Sequence, residues 1–176
     1  MENENTQMAL RDVSGPLEDF SKKLLSEEGG QWLSAFKKFL RKENPWEKPL
    51  FKNDKAKDGW KLLEDIPFDG KQFVPEFVEF LKSGESCVNG EEMKRRAQKL
   101  NVHLGQRHAE YLLEHQESIP KELRGKNLVF PGTVWLGSDD DRFVPYLRWL
   151  GGRWYLSFRW LSRGWDVSAL LVGSRE

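Results

Sequence analysis

The chain has 176 residues, with twenty-eight basic side chains balanced by twenty-eight acidic ones. That balance excludes a global field that would steer nucleic acid or a membrane surface to it. The lone Cys87 excludes an intrachain disulfide framework and suits a reducing compartment. Met1 to Asp12 lacks the apolar run of a signal peptide, and no apolar stretch approaches the ~20 residues of a membrane span. A cytoplasmic protein with no membrane span is therefore expected.

Residues 1–13 are polar and are expected to form a disordered tail. Residues 14–127 are written mainly in helical periods. Ser14-Gly15-Pro16 opens a first helix with Pro early in its first turn. Leu17, Phe20, Leu24 and Leu25 form its apolar stripe, and Gly29-Gly30 stops it. The spacing of Trp32, Ala35, Phe36, Phe39 and Leu40 predicts a second helix over 31–42, ended by Asn44-Pro45. Residues 46–70 give no periodic signal. A third helix is predicted from Val74 or Pro75 to Lys82, with Gly84 as its stop, and two more over 90–100 and 105–116. Residues 117–127 read as a polar linker.

At residue 128 the residue usage changes. Leu128 to Ser174 contains no Lys, Glu, Gln or Met, and it holds five of the eight Trp. This part, 128–176, predicts antiparallel strands over about 128–136, 142–149, 153–161 and 165–172. Gly151-Gly152 between two aromatic-rich runs is a two-residue hairpin signal. Closing the hairpin there pairs Trp149 with Trp154, Leu147 with Leu156, Pro145 with Phe158 and Phe143 with Trp160 on one face. The other face then pairs Arg148 with Tyr155, Tyr146 with Ser157 and Val144 with Arg159. A slip of one residue would mix the two sets. A second hairpin is expected to place Trp160 against Trp165, Arg159 against Asp166 and Ser157 against Ser168. Pro131 and Pro145 lack ladder donors and belong at an edge or bulge. The fold expected is α+β, a helical N-terminal part followed by an antiparallel β meander.

Two surfaces are candidates for function. The outer sheet face would carry Tyr146, Arg148, Tyr155, Ser157, Arg159, Asp166 and Ser168, a mix of large amphipathic contacts and adaptable hydrogen bonds suited to binding. The second candidate is the helix pair at 90–116, a helix-turn-helix outline. In it Lys94, Arg95, Arg96, Lys99 and Arg107 would meet phosphate, and Gln106, Arg107 and His108 would begin the base-reading helix. Glu91, Glu92, Glu110 and Glu114 dilute its field, so nucleic acid is the less favoured partner. The acidic run Ser138-Asp139-Asp140-Asp141 reads as a solvated turn. His103, His108 and His115 lack the spacing of a helical zinc pair. There is no Walker loop, dinucleotide fingerprint or nucleophile elbow. No enzymatic activity, cofactor or metal is expected.

The run from Arg142 to Val172, with Arg-Trp-Leu-Gly-Gly-Arg-Trp-Tyr-Leu-Ser-Phe-Arg-Trp at its centre, resembles the C-terminal variable region of bacterial diversity-generating retroelement target proteins. The resemblance covers roughly the last 45 residues. It implies a C-type-lectin-like fold and a surface diversified at Asn codons, which yield Tyr, Ser, Arg, Asp, Gly or Ala but never Lys, Glu, Gln or Met. The variable positions so implied are Tyr146, Arg148, Tyr155, Ser157, Arg159, Ser162, Arg163, Gly164, Asp166, Ser168 and Ala169. The implied scaffold is Trp149, Gly151, Gly152, Trp154, Leu156, Trp160, Trp165 and Leu170. The partner expected is a protein or a cell-surface ligand. The helical part, including Phe39-Leu40-Arg41-Lys42-Glu43-Asn44-Pro45-Trp46, resembles uncharacterised bacterial proteins and implies no activity.

Overall fold

The computed structural model describes residues 2–42 and 50–175, and only the backbone of 2–12. The chain divides into two compact units, Met1–Pro49 and Leu50–Glu176. The change of residue usage at 128 thus falls inside the second unit.

The first unit contains two helices, α1 (Glu2–Leu24) and α2 (Gly29–Leu40). Helix α1 begins at Glu2 and carries Pro16 in its interior, where a disordered tail and a helix start at 14 were expected. Residues 2–11 include strong helix formers such as Glu4, Gln7, Met8, Ala9 and Leu10, and their propensity carries the helix through the lost Pro16 donor. The chain reverses tightly at Gly29, where a Cβ would lie 2.1 Å from the carbonyl oxygen of Leu24. Phe20 and Phe36 pack at a centroid distance of 4.7 Å, and the Lys23 ammonium sits 3.9 Å over the ring of Trp32. The expected Asn44-Pro45 stop lies outside the described residues.

The second unit starts with a 3-10 turn at Lys55–Asp58, whose N-cap Asp54 accepts from the Ala56 N–H at 3.0 Å. Strands β1 (Lys61–Glu64), β2 (Val74–Val78) and β3 (Cys87–Asn89) follow. Then come helices α3 (Gly90–Lys99) and α4 (Gln106–Glu114), close to where the periodicity put them. Asn89 caps α3 by accepting from the Glu92 N–H at 2.8 Å. The predicted helix over 74–82 is strand β2 instead. Val74, Phe77 and Val78 favour extended backbone, and pairing with the C-terminal strand decides the matter.

The remaining strands are β4 (Asn127–Val129), β5 (Val134–Leu136), β6 (Arg142–Leu150), β7 (Arg153–Trp160), β8 (Gly164–Asp166) and β9 (Ala169–Arg175). Seven of the nine form a curled sheet in the order β1-β5-β6-β4-β9-β2, with β7 on the other edge of β6; β3 and β8 form a separate pair. This is not a simple meander, because β4 and β9 run parallel and strands from before residue 127 join both flanks. A meander would leave β9 beside β8. Pairing with β4 and β2 instead buries Leu170, Leu171 and Val172.

The β6–β7 register is the expected one at every position, from Phe143↔Trp160 to Leu150↔Arg153. Gly151 (φ 56°) and Gly152 (φ 93°) both take left-handed backbone, which a twisted two-residue hairpin demands. Pro145 sits in central β6, yet its missing donor does no damage. Its backbone faces the gap between β4 and β5, where its carbonyl accepts from the Phe130 N–H at 3.0 Å.

Both faces of the sheet are covered. Leu128, Phe130, Leu147, Trp154, Leu170 and Val172 pack with Ala109 and Leu112 of α4. The alternate residues Val129, Val144 and Leu171 pack with Met93 and Ala97 of α3, and with Trp165. Apolar runs such as 128–130 and 170–172 have the signature of strands buried on two sides.

Candidate functional site

The site is the β6–β7 hairpin on the side away from α4. Strand alternation places Val144, Tyr146, Arg148, Tyr155, Ser157 and Arg159 there. The face has two zones. Near its base, Val144 is buried and Tyr146 half-buried, the latter meeting Trp165 edge-on at 6.3 Å. Ser157 and Arg159, opposite Tyr146 and Val144, are half-buried there as well; toward the turn, Arg148 is exposed and Tyr155 half-buried.

These side chains are held by one another. The Arg153 Nε donates to the Tyr155 hydroxyl at 2.5 Å, and its guanidinium lies 4.5 Å from the Tyr155 ring centre. Arg159 stacks 5.0 Å from the Trp165 ring and donates to the Gly164 carbonyl at 2.8 Å. Arg163 lies 5.3 Å over Trp160. Planar guanidinium groups on aromatic faces are pre-organised at low entropic cost.

The second expected hairpin is not formed. Strand β8 pairs with β3, matching Cys87 with Asp166 and Val88 with Trp165, so Trp160 does not oppose Trp165. Trp165 is fully buried with Val144 and the α3 residues, a larger apolar gain than stacking on the half-exposed Trp160 would bring. Asp166 and Ser168 accordingly form no ladder pairs with Arg159 and Ser157. Asp166 accepts from the Ser168 N–H (2.9 Å) and hydroxyl (2.6 Å). These bonds hold its carboxyl below the usual range, with a smaller contribution from the Arg159 charge. Ser168 is tied to Asn127, whose Nδ2 donates to its hydroxyl at 3.2 Å. Ser162, Arg163 and Gly164 are exposed in the turn after β7 and at the start of β8, and Ala169 is buried. Tyr146, Arg148, Tyr155, Ser157 and Arg159 therefore form one surface, which Ser162, Arg163, Asp166 and Ser168 flank.

The helix pair does not have a helix-turn-helix arrangement, because α3 and α4 cover opposite faces of the sheet. Gln106 and His108, expected to begin a base-reading helix, are buried. The Gln106 amide donates to the Asn53 carbonyl (2.8 Å) and Glu110 (2.9 Å), and its oxygen accepts from the Trp135 indole at 2.7 Å. Arg107 bonds Asp65 at 3.0 Å. On α3, Lys94 pairs with Glu64, Arg95 with Glu92, and Arg96 with Glu85 and Glu92. Arg96 draws the Glu85 carboxyl down to about 2; Arg95 and then Arg96 do the same to Glu92. Lys94, Arg95 and Arg96 are committed to these pairs, while Lys99 is exposed at the end of the helix.

Sequence reasoning missed Arg153 as a member of the surface. Its position directly after Gly152 and two residues before Tyr155 was a signal, since i and i+2 share a strand face. The Gln106–Glu110–Trp135 network left no such trace, because Trp135 and Asn53, the partners that bury Gln106, are far from it in sequence. The run 138–141 is a tight turn, closed by the Gly137 N–H donating to the Asp141 carbonyl at 2.8 Å. No helix among the described residues is long and apolar enough to cross a membrane. Comparison with protein-family models, curated proteins and solved structures finds no match.

Proposed function

We propose that this chain is a non-enzymatic binding protein whose β6–β7 face, carrying Arg148, Tyr155, Ser157 and Arg159, engages a protein or cell-surface ligand, and that the face is diversified by a retroelement. The observation that carries the reading is the segregation along one hairpin. Of the fixed scaffold implied by the resemblance, Trp149, Trp154, Leu156 and Leu170 lie on the α4 side with the core, while Trp165 is buried on the α3 side. Most of the implied variable positions lie on the other side or in the turns beyond it. The C-type-lectin-like fold belongs to this proposal and is supported by the α+β, mostly antiparallel, curled sheet. Large rigid Tyr and Arg side chains beside adaptable Ser suit a recognition surface that can change without refolding.

Sequencing the locus and its flanks in independent isolates tests it. We expect a near-duplicate of the 142–172 coding segment beside a reverse transcriptase gene, with mismatches confined to template adenines and falling at Arg148, Tyr155, Ser157 and Arg159. Absence of the duplicate, or substitutions spread equally over Trp149 and Trp154, overturns the proposal.

A further inference from the structure

We propose that the free edge of β7 is a strand-addition site for an extended segment of a partner protein, one alternating acidic and uncharged residues. This rests on the reading of the hairpin as a protein-binding surface and adds how the partner is held.

Ladder parity identifies the free groups. Leu161 N–H donates to the Arg142 carbonyl at 2.8 Å, so with the unbroken β6–β7 register the odd-numbered residues of β7 bond to β6. The even-numbered ones point their N–H and C=O outward. At the ends one group of each residue is used: Trp154 N–H donates to Gln116 Oε1 at 2.9 Å, and the Trp160 carbonyl accepts from Arg163 at 3.3 Å. Between them, no described residue bonds the outward groups of Leu156 and Phe158, and β7 has no strand neighbour but β6. Leu156 and Phe158 alone thus present two donors and two acceptors at ladder spacing.

The other sheet edges are guarded in ways β7 is not. Strand β1 has four residues and an interrupted register, and β2 has five residues with Pro75 among them. Strand β7 has eight residues, no Pro and no break in register. Short length, Pro and bulges are the usual protections of an edge.

Charge selects the occupant. On the outer face, Arg153 and Arg159 lie on β7 itself, with Arg148 one strand in and Arg163 in the turn that follows; Asp166 and Glu91, the latter paired with Arg142, are the acids there, so side chains presented at the edge should be acidic. On the other side Leu156 lines a cavity of about 480 Å³, whose wall carries Asp54, Asp58, Glu110 and Glu114 against Lys52 and Lys57. That excess of carboxylates disfavours acid and selects uncharged side chains. A second copy of this chain would set its own Arg153 and Arg159 against these arginines. A nucleic-acid strand would satisfy the donors and leave the two carbonyls facing phosphate.

The test uses the full chain and an end-blocked ten-residue peptide alternating Glu and Val, titrated by NMR or calorimetry. Binding is expected to weaken at least about tenfold when one alternate set of peptide nitrogens is methylated and to change less than about threefold when the other is. It should also fall at least about tenfold for the Lys/Val peptide and for Arg153→Glu, and decline with salt. No binding at about 1 mM, equal tolerance of both methylated sets, or equal binding of the Lys/Val peptide overturns the proposal. So does concentration-dependent dimerisation, or displacement of the peptide by a single-stranded oligonucleotide. Equal tolerance of both methylated sets with binding still lost in Tyr155→Ala would remove strand addition and leave the face as a binding surface. If Arg153→Glu does not fold, Arg153→Ala is the second variant; it should weaken the Glu/Val peptide at least about threefold, and unchanged binding overturns the proposal.

Discussion

The two faces of the β6–β7 hairpin share one backbone and one register but do opposite work. On the α4 side, Leu147, Trp149, Trp154 and Leu156 join a continuous apolar cluster, with the rings of Trp149 and Trp154 edge-to-face at 5.7 Å. On the other side only the base is covered, by α3 and Trp165, and the tip carries Arg148, exposed, and Arg153, stacked on Tyr155. Since one face holds the hairpin in place, the tip of the other can change without disturbing the core. That asymmetry is what the proposed binding face requires, and a strand pair sandwiched evenly between two helical layers would lack it.

The asymmetry predicts unequal costs of truncation. Trp154 is 3% exposed and sits among α4 and sheet residues. Trp154→Ala should destabilise by about 3–5 kcal/mol in urea unfolding. A loss under about 1 kcal/mol would mean that the α4 side does not anchor the hairpin.

Helix α4 can be tested through His108. It is buried against Phe68 and Phe73, and its Nδ1 accepts from the Gly105 N–H at 3.2 Å. Burial is the main cause that brings its pKa from 6.5 down to about 4; Arg107 lowers it further, while the Gly105 contact, Asp65 and Asp69 oppose the fall. The unfolded chain therefore binds a proton in a range where the folded chain does not. The resulting stabilisation is complete above pH 6.5 and is lost as pH falls toward 4, by about 3 kcal/mol in all. Urea unfolding at pH 7.5 and 4.5 should show this loss, and His108→Asn should flatten it. An unchanged slope in the variant would place the pH dependence elsewhere.

How far the sequence revealed this arrangement follows from the range of each interaction. The β6–β7 register was legible to the residue because Gly151-Gly152 and the aromatic alternation are local. Helices α3 and α4 were legible because their periodicity was. Strand β2 was not, since Pro75 to Lys82 is too short for apolar spacing to separate helix from strand, and its pairing with β9 lies almost a hundred residues away in the chain. The β8 pairing was hidden for the same reason: Cys87–Asn89 has no strand signal of its own, and Trp165 fits a cross-strand aromatic pair on paper as well as it fits the core. Of the surface residues, those on β6 and β7 came together as expected. Asp166 and Ser168 followed β8 to a flank.

The outer face offers the finest comparison, between two arginines on one surface. Arg159 stacks on buried Trp165 and bonds the Gly164 carbonyl, which fixes the turn after β7 to the strand itself. Arg148 is exposed opposite Tyr155 and bridges nothing among the described residues. Arg159→Ala should cost about 1 kcal/mol, from one cation–π contact and one charged hydrogen bond, both partly solvated. Arg148→Ala should remain within about 0.5 kcal/mol. If both prove neutral in urea unfolding, the stacking on Trp165 does not stabilise the fold, and the outer face is free to vary at its base as well as its tip. If Arg148→Ala costs as much as Arg159→Ala, the tip is structural and loses the independence from the core that a changeable recognition surface requires.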